Sequence, residues 1–183
     1  MITHPKNAGF SLIEVLVTIL ILMVGLLGLA GLQGRALTAQ MEAYQRSQAL
    51  ILLKDMADRI NANRKNASFY DAILGTGVAV CPTTGNTIAD SDLCEWHNAL
   101  LGAAETQGGA SVGAMIGARG CVYEITPSSA GVMGEYLIAV AWQGFNSTAA
   151  LTAGPAAACG TGQYGGDAKR RVVTLPVYIA SLI

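Results

Sequence analysis

Residues Phe10 to Gly34, "FSLIEVLVTILILMVGLLGLAGLQG", form an apolar run of 25 residues whose only charge is Glu14. A helix needs roughly 20 such residues to cross about 30 Å of hydrocarbon, so this stretch is long enough to span a membrane. A cleaved secretory signal has a shorter apolar core, about 7 to 15 residues, ahead of a small-residue site of Ala-x-Ala type. The run fits neither feature and is expected to be retained as an anchor. A carboxylate inside it costs about 2.5 to 3.5 kcal/mol at mid-membrane on insertion scales, which marks Glu14 as a group in need of a partner. The alternative is a carboxylate at the lipid interface, complementing the positive end of its own helix. Both readings stand on the residues alone.

The helical pattern continues past the apolar run. "RALTAQMEAYQRSQALILLKDMADRINANRKN" places Leu37, Met41 and Tyr44, then Ala49, Leu52, Leu53, Met56 and Ile60, at spacings of three and four with polar residues between. This stripe is expected to face a core, and the Asn-containing "NANRKN" is a plausible end, giving a helix from about residue 11 to 62. Two helices hinged within the span are the alternative, because Gly25, Gly28, Gly31 and Gly34 each cost up to about 1 kcal/mol of helix propensity relative to Ala. Small residues also let helix backbones approach each other in lipid.

Downstream, "DSDLCEWHNALLGAA" predicts a short amphipathic helix with Asp90 or Ser91 as its cap and Leu93, Trp96, Leu100 and Leu101 on one side. Three later runs predict strands: "CVYEIT" from Cys121, a central "EYLIAVAW" from Glu135, and "RRVVTLPVYIAS" from Arg170. Pro176 moves the last toward a sheet edge or a bulge. Gly/Ser/Pro turns rather than helices separate the strands, which favours an antiparallel sheet. The amphipathic half of the long helix is the obvious cover, so the fold class is α+β. Residues 75–90 and 144–167 read as loops, each tied by a cysteine.

With 183 residues and a formal net charge of −1, the chain has room for one ordinary domain plus the anchor. The charge balance does not point to nucleic acid. Cys81, Cys94, Cys121 and Cys159 all follow the anchor, and none forms a Cys-x-x-Cys pair, which disfavours a zinc site. Two disulfides in an oxidising compartment are the better reading, with the domain outside the cytoplasm and the N-terminus inside. Three connectivities are open. Cys81 with Cys94 and Cys121 with Cys159 is favoured, because the first pair closes a short loop through Pro82, Gly85 and Asn86.

The remaining motifs carry little chemistry. "GTGQYG" has dinucleotide-fingerprint spacing but lacks the preceding strand and following helix that such a site needs. "GGASVGAMIGARG" lacks the Gly-Lys-Ser/Thr ending of a phosphate cradle. His97, near Glu95 on the short helix, is expected at the surface and is too little for a triad or metal site. "NAS" at Asn66 and "NST" at Asn146 fit the N-glycosylation pattern and are assigned no role. No catalytic residue, metal or cofactor is expected.

At "GFSLIEV" the chain resembles the processing site of type IV pilins and pseudopilins. The resemblance implies a leader "MITHPKNAG" (residues 1–9), cut by prepilin peptidase between Gly9 and Phe10, with N-methylation of Phe10 and with Glu14 fifth in the mature chain. It further implies a type IV pilin-like fold: a transmembrane and assembly half of the long helix (10–34), then a periplasmic globular domain (35–183) with the helix packed on a C-terminal antiparallel sheet. "GLLGLAGLQ", "AYQRSQA", "DMADRINANR", "DLCEW" and "RRVVTL" are similar to the PilV family of minor pilins, although Gly31 stands where major pilins usually carry proline.

The family implies a non-enzymatic minor pilin that, with other minor pilins, primes type IV pilus assembly near the tip and supports twitching motility and adhesion. Its partners would be other minor pilins, the major pilin, prepilin peptidase, the inner-membrane assembly machinery and, before assembly, membrane lipid. Its site would be the bacterial inner membrane and then the pilus fibre. Glu14 would pair with the new amine of Phe10, either a neighbour's or its own. A type II secretion pseudopilin is the alternative.

Overall fold

A computed structural model describes residues 9–78, 81, 87–103, 106–111, 115–129 and 131–180. Residues 1–8, which fall in the expected leader, and the loop residues Pro82, Gly85 and Asn86 lie outside these. The fold is α+β, with a long N-terminal helix whose second part packs on a four-stranded antiparallel sheet. Helix α1 runs from Leu12 to Ala62, close to the span that the apolar run and the stripe predict. The chain divides into two compact units, one ending at Met41 and one beginning at Glu42.

In the first unit the apolar side chains of α1 are exposed, and the helix is long and apolar enough to cross a membrane. Its hydroxyls are turned inward on the backbone: Thr18 Oγ1 donates to the Val15 carbonyl at 2.8 Å and Thr38 Oγ1 to that of Gly34 at 3.1 Å. Such back-bonding gives each of these two hydroxyls a partner within the helix. A Cβ added at Gly25, Gly28, Gly31 or Gly34 would meet nothing within 4 Å, so packing within the chain does not demand glycine there.

In the second unit α1 buries Gln45, Ala49, Leu53, Met56, Ala57 and Ile60. The stripe therefore begins at Gln45. Leu37, Met41 and Tyr44, expected to face the core, are exposed. A 3₁₀ segment (Arg64–Tyr70) leads into β1 (Ala72–Gly75). Helix α2 (Ile88–Leu100) follows, then a two-residue pair, β2 (Thr106–Gln107) and β3 (Ala110–Ser111). The main strands are β4 (Arg119–Thr126), β5 (Gly134–Gln143) and β6 (Arg170–Ile179).

Sheet order is β1-β4-β5-β6, every neighbouring pair antiparallel. "EYLIAVAW" is central as its β-branched and aromatic content predicts. Pro176 lies on edge strand β6, where a missing N–H costs no ladder bond. The one register shift falls instead between Glu124 and Thr126 on β4. Strand alternation then makes two cores. One sheet face packs Val122, Ile138, Val140 and Trp142 under α1 and α2, while the other packs Cys121, Ala139 and Ala141 under Ala156, Cys159 and Tyr164.

Candidate functional site

At the start of α1, Glu14 N–H donates to the Ser11 carbonyl at 3.0 Å, closing the first turn. The Gly9–Phe10 peptide bond precedes that turn, and the Phe10 side chain is 85% exposed. Glu14 is exposed as well and shares a shallow surface depression with Phe10, Val15 and Thr18. The geometry thus presents the Gly9–Phe10 peptide bond in open chain, an apolar residue directly after it, and the Glu14 carboxylate in the first turn of the helix. Because Phe10 and Glu14 line the same depression, a terminus at Phe10 and the Glu14 carboxylate would be neighbours.

The domain that follows is held on α1 by α2. Thr87, not Asp90 or Ser91, caps α2: its Oγ1 accepts from Asp90 N–H at 3.1 Å and Asp90 Oδ2 accepts from Thr87 N–H at 3.1 Å. This reciprocal capping box satisfies two donors that the first turn would leave open. Arg59 of α1 reaches across to α2, with Nη1 2.9 Å from Asp92 Oδ1 and 2.7 Å from Glu95 Oε2, while Nε bonds Asp55 at 3.0 Å. Burial works against the Arg59 charge, but the hydrogen bonds to Glu95, Asp55 and Asp92 outweigh it and hold the guanidinium protonated well above its usual range.

The second oxygen of Asp92 accepts the Tyr70 hydroxyl. Burial foremost, and then this bond, push the Tyr70 pKa up to about 12. Trp96 lies fully buried with Nε1 donating to the Leu52 carbonyl at 3.0 Å. His97, expected at the surface, is buried, and its Nδ1 accepts the Gly75 N–H at 3.1 Å. That bond caps the end of β1, where Gly75 takes φ +97° with a would-be Cβ only 2.4 Å from the Ala118 carbonyl oxygen. His97 thus acts as a structural clasp on the end of β1.

Cys81 is bonded to Cys94 with 4.8 Å between Cα atoms, and Cys121 to Cys159 with 6.0 Å. The second bond fastens the segment after β5 to the sheet. Arg170, buried, completes that fastening: Nη1 donates to the carbonyls of Ala157 and Cys159 at 2.8 and 3.0 Å, and Nη2 to that of Leu151 at 2.8 Å. Its Nε lies 3.3 Å from Asp167 Oδ1, an ion-pair contact without hydrogen-bond alignment. Arg171 points to the opposite face, donating to the Asn146 carbonyl at 2.6 Å and Thr148 Oγ1 at 2.7 Å. Sequence reading missed both roles; the adjacent arginines opening a strand were the available signal. Among the described residues no group of three or more His, Cys, Asp or Glu is placed to hold a metal ion.

Residues 4–30 match the family model of the prokaryotic N-terminal methylation motif, and residues 31–98 that of type IV pilin Tt1218. The matches abut, and they support a type IV pilin-like chain. The second begins at Gly31 within α1 and ends within α2, so it spans the later part of the helix, the Arg59 network and β1, while β4 to β6 lie beyond it. No curated protein and no solved structure matches the chain.

Proposed function

We propose that this type IV pilin-like chain is a minor pilin, of the PilV kind, which primes pilus assembly together with other minor pilins, sits near the tip and supports twitching motility and adhesion. The observation that carries the reading is the abutting pair of matches, methylation motif then type IV pilin. Proteins of that family are structural rather than enzymatic.

In this reading prepilin peptidase removes residues 1–9 and methylates Phe10, and the exposure of the Gly9–Phe10 bond supports it. Before cleavage the chain has no amine at Phe10. Afterwards an ammonium and the Glu14 carboxylate lie one turn apart, and pairing between neighbouring subunits offsets the desolvation cost of both charges. The Phe10 to Gly34 helix holds the subunit in the inner membrane against lipid, N-terminus in the cytoplasm and domain in the oxidising periplasm, where its disulfides persist. The assembly machinery then moves it into the fibre beside other minor pilins and the major pilin.

Gene deletion tests the reading. Loss of surface pili with intact protein secretion is the expected result, and the reverse outcome assigns the chain to a type II secretion system as a pseudopilin. Gly9→Val is expected to leave an uncut, unassembled precursor; recovery of chains beginning at Phe10, detected by mass spectrometry, would contradict the processing step.

A further inference from the structure

Between α1 and strands β5 and β6 lies a cleft of about 290 Å³, walled by Arg46 of the helix and by Trp142, Arg171, Val172 and Val173 of the strands. Glu42 is the acid on this cleft, and it is already engaged. Its Oε1 accepts the N–H groups of Phe145 and Asn146 at 3.2 and 3.3 Å and faces Arg171 Nη2 at 3.4 Å. Arg171 is occupied in turn by Glu42, the Asn146 carbonyl and Thr148 Oγ1. Arg46, by contrast, is exposed and makes no hydrogen bond or ion pair among the described residues. Two guanidinium groups against one carboxylate leave the cleft with surplus positive charge, and the surplus sits on Arg46.

A ligand held there meets a guanidinium on one side and the apolar surface of Trp142, Val172 and Val173 on the other. The planar, weakly hydrated guanidinium fork matches a phosphate group. A bare inorganic anion makes no use of the apolar wall, whereas a phosphate attached to an apolar body uses both. Chain connectivity favours one source of such a group. Seven residues, 35–41, separate the apolar run from Glu42, and seven residues of helix rise about 10 Å. So short a tether gives the cleft a high effective concentration of phospholipid headgroups.

We infer that the cleft binds the headgroup phosphate of an anionic phospholipid, Arg46 donating to the phosphate oxygens while Trp142, Val172 and Val173 meet the glycerol and the first methylenes. The contact ties the stored subunit to its lipid, and transfer into a fibre breaks it. The inference rests on the reading of Phe10 to Gly34 as a membrane anchor.

Native mass spectrometry of the full chain in a neutral detergent tests it, with phosphatidylglycerol or phosphatidylcholine added at equal concentration. Both lipids carry phosphate, but only the first has net negative charge. Phosphatidylglycerol should be retained about fivefold more tightly, equivalent to the roughly 1 kcal/mol that one basic residue gains at an anionic surface. Arg46→Glu should abolish the preference, Arg46→Lys should keep it, and excess inorganic phosphate should not displace the lipid. Arg46 has no partner to lose, so the variants should fold as the parent does, which circular dichroism checks. Equal retention of the two lipids overturns the inference. Displacement by inorganic phosphate also overturns it, by making the cleft a site for any free anion. So does a preference that survives Arg46→Glu and falls with Arg35→Glu. Release of the chain from membranes by alkaline carbonate overturns the anchor reading and this inference with it, whereas a chain that stays in the membrane without lipid preference overturns the inference alone.

Discussion

Arg59 on α1 and Asp92 on α2, 33 residues apart in sequence, meet at 2.9 Å, and the same guanidinium nitrogen bonds Glu95 at 2.7 Å. This contact joins "DMADRINANR" to "DLCEW", two stretches inside the residues that match the type IV pilin family model. Every residue of the second stretch has a task in the fold: Asp92 and Glu95 hold Arg59, Leu93 and Trp96 fill the core, and Cys94 is bonded to Cys81. What reads as a family signature along the chain is one docking joint in space, the place where the helix acquires its globular domain.

Arg59→Met should loosen that joint. It leaves Asp55, Asp92 and Glu95 facing one another without a cation, yet the arginine side chain is 24% exposed, so water takes up part of the loss. Charge-assisted hydrogen bonds contribute about 1.5 to 3 kcal/mol, and about 2 kcal/mol is the expected destabilisation in urea unfolding. Wild-type stability in the variant would show that the network is ornamental.

Alkaline pH should attack the same region through Tyr70. Its pKa rises from 10.0 to about 12 on folding, so the folded state keeps the proton that the unfolded state releases. The contribution is complete below pH 10 and is lost as pH climbs toward 12. Unfolding followed by circular dichroism should accompany tyrosinate formation in that window, and Tyr70→Phe should make the profile shallower. Tyr164, likewise pushed up to about 12 by burial, adds to the same slope.

The two disulfides should differ in both energy and access. Sequence separations of 13 and 38 residues give chain-entropy contributions of about 3 and about 4 kcal/mol. Replacing Cys121 and Cys159 by alanine should therefore cost more than replacing Cys81 and Cys94. Cys121 and Cys159 are fully buried whereas Cys81 and Cys94 are only half-buried. Under native conditions a mild reductant followed by alkylation and peptide mapping should label Cys81 and Cys94 first; equal labelling would contradict the difference in burial.

Gly120→Ala should destabilise without touching any charge. A Cβ there would lie 2.3 Å from Cη2 of Trp96 and 2.6 Å from Cδ1 of Leu100, both fully buried under α1. Overpacking of this kind typically costs about 1 to 3 kcal/mol. Thermal melting gives the size of the effect, and a shift in Trp fluorescence reports whether Trp96 has been displaced.

Some of this architecture is written locally in the chain. An apolar run of 25 residues dictates a helix long enough to span a membrane, the three-and-four spacing of Ala49, Leu53, Met56 and Ile60 dictates that the helix continues, and alternation marks β4, β5 and β6. Each signal is a period within one element, so neighbours in sequence carry it. Other features depend on which element lies opposite. β1 is four residues long, too short to show a period, and is a strand because β4 pairs with it. His97 is buried because an edge amide, Gly75 N–H, needs an acceptor. Leu37, Met41 and Tyr44 continue the sequence pattern but stay exposed, while Gln45 starts the buried stripe. Arg170 and Arg171 look alike in sequence and do unlike work, because a strand sends successive side chains to opposite faces of the sheet. Periodicity states which side of an element is apolar; only the tertiary structure supplies the partner, since contacts between distant segments are set by topology and not by local pattern.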